Sequence, residues 1–117
     1  MKGIRFLAKH PEGLRESVDA TNLVKVVAGT TIKELNEALW AKGQALPNLG
    51  GFDGQTVAGV LATGTHGSAL SRGPMHQAVC ASNLVLADGR KLRVEPKEGI
   101  SDPVRFAELH PDTELVQ

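Results

Sequence analysis

The sequence predicts an α+β domain in which a mostly antiparallel sheet of about four or five strands, a usual size for small sheets, is flanked by helices. Three observations carry this expectation. The segment "TTIKELNEALWAKG" repeats its apolar residues at helical spacing behind a capping signature. In "NLVLADGRKLRV" two apolar runs flank Asp88-Gly89, a favoured hairpin turn. Between them, Gly43 to Ser71 is apolar and rich in glycine, with Asp53 its only Asp, Glu, Lys or Arg.

In chain order, residues 4–8 and 14–19 read as short strands joined through "KHPEG", a turn composition. "LVKVVAG", Leu23 to Gly29, is β-branched and bounded by glycine, which predicts a third strand. Thr31 with Glu34 three residues on forms a capping box, and Ile32, Leu35, Ala38 and Leu39 share one face, so residues 31–41 are expected to be helical. Gly43 supplies the left-handed stop. "QAL" then reads as a short strand entering an irregular loop. Thr56 to Ala62, "TVAGVLA", predicts a short helix capped by Thr56, where Gly59 weakens the isolated helix but permits close packing. The hairpin follows over residues 82–95. Ser101 or Asp102 caps a last short helix with Pro103 in its first turn. No further element is expected in "HPDTELVQ".

Length and composition narrow the function. At 117 residues the chain suits a single domain with a modest core. Thirteen basic and 13 acidic side chains cancel, and no like-charge run occurs, which disfavours a nucleic-acid binder. The charges of "GRKLRVEPKEG", Glu95 and Glu98 among them, read as a solvated strand end. No stretch approaches the roughly 18 apolar residues of a membrane span. The single cysteine, Cys80, lies in an apolar run and reads as a buried, inert thiol, so a reducing, cytoplasmic setting is expected.

Glycine is the outlier, at 13 of 117 residues, about 11% against a usual value of about 7%. Eight of the glycines lie between Gly43 and Gly73. A flexible linker would lack the Leu46, Leu49, Phe52, Val57, Val60 and Leu61 found there. The focus is "ATGTHGS", Ala62 to Ser68, which holds His66 between glycines. The four histidines show no metal-ligand spacing. Ser68 sits too close in sequence to His66 for a nucleophile and base, and the glycine-serine elbow pattern is absent. The lysine and spacing of a P-loop are missing too. Two readings stay level on composition: a tight core turn, or a cradle whose backbone N–H groups converge on an anion or a flavin carbonyl.

The series Ala28-Gly-Thr, a capped helix, "LPNLGG", "TVAG" and "ATGTHGS", followed by "VLADGRKLRV", closely resembles the FAD-binding domain of the vanillyl-alcohol oxidase (PCMH-type) family. The nearest branch is that of the sugar-lactone and alditol oxidases, and the resemblance runs from about Val24 to Val94. It implies that Gly51, Thr56, Gly59, Ala62, Thr63, Gly64, Thr65, His66 and Gly67 contact FAD. It also implies a parent that oxidises a carbinol of a sugar lactone or polyol, the cofactor carrying the chemistry; the alternative is a non-catalytic flavin-domain fragment or assembly partner that keeps the fold without turnover. His66 is then a structural and flavin-contacting imidazole, since the family's covalent histidine belongs to an earlier subdomain that nothing in residues 1–22 resembles. The chain is accordingly expected to be the second lobe of such a domain, without the first subdomain or the substrate domain. Weak or no FAD binding by the isolated chain, and its self-association, follow from that expectation.

Overall fold

The computed structural model describes residues 2–9 and 11–117, and these fall into two compact units. One comprises the chain up to Phe6 together with Asn22–Ala78; the other comprises Leu7–Thr21 and Val79–Gln117. The expected single sheet is thus divided into one of two strands and one of three. Strand pairs are antiparallel in two of three cases, and with the helices this is an α+β fold.

In the first unit, β1 (Ile4–Phe6) pairs antiparallel with β2 (Val24–Val26), Arg5 opposite Lys25. After β2 the buried Thr30 hydroxyl accepts from the Gly3 amide at 2.9 Å and donates to the Gly3 carbonyl at 3.2 Å, which closes the sheet onto the next helix. Helix α1 spans Ile32–Trp40 and starts as predicted: the Thr31 hydroxyl accepts from the Glu34 amide, while a Glu34 carboxylate oxygen accepts from the Thr31 amide at 2.8 Å. Hydrogen bonds from the Thr31 amide, then Lys2, then the Thr31 hydroxyl hold the Glu34 carboxyl down to about 2. Ile32, Leu35 and Leu39 are buried on one face of α1, and Gly43 takes the left-handed stop at φ +68°.

Helix α2 (Val57–Ala62) begins beside the start of α1. The Ile32 amide donates to the Gln55 carbonyl at 2.9 Å and the Val57 amide to the Thr30 carbonyl at 2.8 Å. Ile32, Val60 and Met75 form a core with Leu46, Val57 and Leu61 around it, each full aliphatic burial contributing about 1.5–3 kcal/mol. Met75 comes from a 3-10 helix at Met75–Ala78. The expected strand at "QAL" is absent, because this segment serves as connection to the glycine-rich loop.

In the second unit, β3 (Ser82–Val85) and β4 (Lys91–Val94) form the predicted hairpin. Its turn differs in type. Only Gly89 has positive φ, at +86°, and its amide donates to the Leu86 carbonyl at 2.9 Å, while the Leu86 amide donates to the Arg90 carbonyl. Asp88 keeps negative φ, so the connection is the three-residue loop Ala87-Asp88-Gly89 with a glycine bulge. Helix α3 (Pro103–Leu109) starts under the Asp102 carboxylate, which accepts from the Val104 and Arg105 amides. The tail that seemed featureless forms β5 (Thr113–Val116), parallel to β4, so α3 is the crossover of a β-α-β unit. The expected strand at 14–19 reduces to a single bridge between Leu14 and Ser101.

Glu95 corrects the sequence reading most sharply. It is buried, not solvated. One carboxylate oxygen accepts from the Ser101 hydroxyl (2.6 Å) and Arg93 Nε (2.7 Å); the other accepts from the Ser101 amide (2.9 Å) and Gln117 Nε2 (3.2 Å). Burial pushes this carboxyl up, but the Ser101 hydroxyl and amide, Arg93 and Gln117 outweigh it and hold it below the usual carboxylate range.

Candidate functional site

The sequence-predicted residues lie in the first unit, on the loop before α2, on α2 itself and on the turn after it. Thr56 caps α2, its hydroxyl accepting from the Gly59 amide at 3.2 Å. A methyl group on Gly59 would stand 3.2 Å from that same hydroxyl oxygen. At the far end Gly64 takes φ +65° and the Thr65 amide reaches back to the Val60 carbonyl at 3.1 Å, a Schellman-type stop. The Thr63 hydroxyl donates to the Gly59 carbonyl at 2.9 Å and lies 3.1 Å from the Thr65 hydroxyl. Ala62 and Thr63 are exposed.

The turn is braced from both sides. The Thr65 carbonyl accepts from the Met75 amide at 2.8 Å, which ties it to the core residue below. Asn48, which sequence reasoning did not single out, donates from Nδ2 to the Gly73 carbonyl at 2.7 Å and accepts from the Leu49 amide at 2.9 Å. It also stands where a Gly67 side chain would go: a Cβ there would meet Asn48 Oδ1 and come within 2.6 Å of the Leu49 carbonyl oxygen. Gly50 is equally tight against Thr65, whose Cγ2 would be 2.7 Å from an added Cβ. The signal for these contacts was the pairing of "LPNLGG" with "THGS", but nothing in either stretch says that they touch.

Gly51 and Gly64 face the other way, with nothing within 4 Å of an added Cβ. Among the described residues, the amides of Gly50, Gly51, Gly54, Gly64, His66 and Gly67 donate no hydrogen bond within the chain. The site therefore combines unused N–H donors, open space in front of two glycines, and no side-chain charge except Asp53. His66 is exposed, its Nδ1 2.8 Å from the Gly67 carbonyl oxygen. Such a donor set fits an acceptor-rich ligand fragment, such as a diphosphate or a flavin carbonyl. Among the described residues no three His, Cys, Asp or Glu side chains come together to hold an ion. Each unit has a hollow of its own. One of about 650 Å³ is lined by residues of the second unit including Arg15 and Arg105, and one of about 350 Å³ by Asn36, Glu37, Trp40, Gln44, Ala45 and Leu49.

Residues 8–95, well over half of the chain, match the family described as FAD binding domain. The chain belongs to that family. The match begins earlier than the resemblance at Val24. FAD is the family's cofactor, and the open amides and Cβ-free surface of residues 50–67 suit it. Over 75 residues the FAD-binding chain is 43% identical to D-arabinono-1,4-lactone oxidase of Yarrowia lipolytica, taking in 64% of the chain and 14% of the relative. It is 43% identical to alditol oxidase of a Streptomyces species over 82 residues, 69% of the chain and 20% of the relative. With D-lactate dehydrogenase of Archaeoglobus fulgidus it shares 40% over 95 residues, 80% of the chain and 21% of the relative. The matched stretches thus span less than a quarter of these relatives' lengths. No solved structure matches significantly. No helix among the described residues is long and apolar enough to cross a membrane.

Proposed function

We propose that this chain is the flavin-holding part of an FAD-dependent oxidoreductase that oxidises a carbinol of a sugar lactone or polyol. The observation that carries the reading is the set of unpaired amides on residues 50–67, in a stretch whose only charge is Asp53. The substrate class rests on relatives named as a lactone oxidase and an alditol oxidase.

FAD, when bound, supplies the acceptor for a hydride leaving the carbinol carbon. The chain's own part is to bind and orient. Gly51 and Gly64 let the backbone approach closely; Gly67 makes room for Asn48 and offers its amide; Gly59 and Ala62 keep α2 slim; Thr56, Thr63 and Thr65 hold the ends of α2 and the turn; His66 contacts the cofactor. No residue here is assigned as a catalytic base. The exposed Trp40, Phe52, Leu70 and Val85 support self-association of the isolated chain, and the single cysteine supports a cytoplasmic setting.

Gly51 gives the sharpest test, because its φ is unstrained and its Cβ position is open. Gly51→Val should leave urea unfolding unchanged while lowering FAD affinity at least tenfold in equilibrium dialysis. Equal affinity in variant and parent chain would defeat the proposed placement. Affinity of the unaltered chain should be weak, since small ligands depend on burying most of their surface.

A further inference from the structure

We propose that His66 is a hydrogen-bond acceptor for the cofactor, taking a hydrogen bond at Nε2 from a hydroxyl or ring N–H of FAD and not meeting its diphosphate. This rests on the FAD-binding reading above and assigns the polarity of one contact within it.

The tautomer follows from one hydrogen bond. Nδ1 lies 2.8 Å from the Gly67 carbonyl oxygen, and a carbonyl can only accept, so Nδ1 carries the proton. A neutral imidazole has one N–H, which leaves Nε2 with its lone pair. His66 is exposed and makes no other hydrogen bond among the described residues, so Nε2 is free to accept from outside the chain. The backbone that sets the ring is held: the Thr65 amide is bound to Val60, the Thr65 carbonyl to Met75, and Gly67 packs so closely on Asn48 and the Leu49 carbonyl that a Cβ would not fit.

The neighbours of this lone pair have the opposite polarity. The amides of Gly64, His66 and Gly67 are donors, and phosphate oxygens suit them. Those same oxygens have no proton to give Nε2 at neutral pH and would face its lone pair unfavourably. Nε2 therefore needs the donors that FAD carries elsewhere: ribityl or ribose hydroxyls, or an N–H of the flavin or adenine ring. His66 in this way separates the nucleoside portions of the ligand from its phosphates within a single turn.

The test uses the 117-residue chain with four separate probes: riboflavin, lumiflavin, adenosine and inorganic pyrophosphate. Nitrogen-15 NMR of the ring at pH 8 should show the proton on Nδ1. His66→Ala should weaken binding of riboflavin or of adenosine about three- to tenfold, the worth of one hydrogen bond, and leave pyrophosphate binding unchanged. His66→Gln, which keeps an acceptor, should restore most of the loss. A loss with riboflavin that persists with lumiflavin identifies the flavin ring as donor, a loss confined to riboflavin identifies the ribityl chain, and a loss with adenosine identifies the adenosine half. A proton on Nε2, a weakened pyrophosphate contact, or no loss with any nucleoside would overturn the assignment while FAD binding itself stood. If the unaltered chain bound neither FAD nor any probe at millimolar concentration, the nitrogen-15 measurement decides alone: a proton on Nδ1 keeps the assignment and a proton on Nε2 overturns it, while the FAD-binding reading rests on the family match.

Discussion

The glycine turn and the pocket around Glu95 solve the same problem in opposite ways. Each is a polar feature set in one of the chain's two compact units. Around Glu95 four donors meet two carboxylate oxygens, and the group is saturated. In the glycine turn the amides of Gly64, His66 and Gly67 have no partner within the chain, nor have those of Gly50, Gly51 and Gly54 on the loop before α2, yet the turn is as firmly braced, through Thr65, Asn48 and Met75. Buried polar groups in folded proteins are ordinarily paired, so the saturated Glu95 carboxylate implies a structural role, whereas a braced row of donors on exposed or half-buried residues stays open to solvent or to a ligand. The contrast separates function from stability without reference to which residues look reactive.

The contrast can be broken most directly at Gly67. Gly67→Ala places a Cβ against Asn48 Oδ1 and 2.6 Å from the Leu49 carbonyl, so it should destabilise the first unit by about 4 kcal/mol or more in urea denaturation. A loss under about 1 kcal/mol would mean that the turn is looser than described. Glu95→Ala comes next. It leaves the Ser101 amide and hydroxyl, Arg93 and Gln117 without their acceptor and should cost about 3 kcal/mol, with the loss confined to amide-exchange protection of β4 and β5. Loss of FAD affinity without loss of that protection would reverse the two roles.

Two smaller effects sharpen the picture within the first unit. Thr56→Ala removes the α2 cap and should cost about 1 kcal/mol in thermal unfolding, with Thr56→Ser restoring it. The smallest effect is a pH dependence. Glu34 has its carboxyl held at about 2, below its ordinary 4.5, so its contribution is present above pH 4.5 and lost as pH falls through about 2. Circular dichroism of the unaltered chain should show α1 weakening over that window more than in Glu34→Gln; identical curves would remove the capping box from the account.

What the sequence disclosed was what neighbours in sequence decide. Thr31 and Glu34 are three residues apart, Asp102 caps the helix beside it, and Gly43 and Gly64 stop helices they adjoin, so α1, α2 and α3 were all legible. The order of motifs around residues 51–67 likewise located the candidate site. What depended on distant pairing was hidden. β5 is four residues long and acquires its meaning only beside β4, some twenty residues earlier. Glu95 sits in a charged stretch that looks solvated until Ser101 and Gln117 fold over it. Asn48 matters because Gly67 and Gly73 arrive next to it, which neither local stretch foretells. The hairpin was right in kind but not in turn type, because Asp88 stays at negative φ and caps the Arg90 amide.

Trp40 at the end of α1 is the chain's sole tryptophan, there is no tyrosine, and its side chain is 82% exposed beside a hollow floored by Ala45 and Leu49. The intrinsic fluorescence of this protein therefore starts from an indole already in water, so unfolding should shift its emission little, and a flat denaturation trace would not mean a chain that fails to fold. The same indole becomes a reporter of contact: a blue shift that grows with protein concentration would register another surface closing over that hollow.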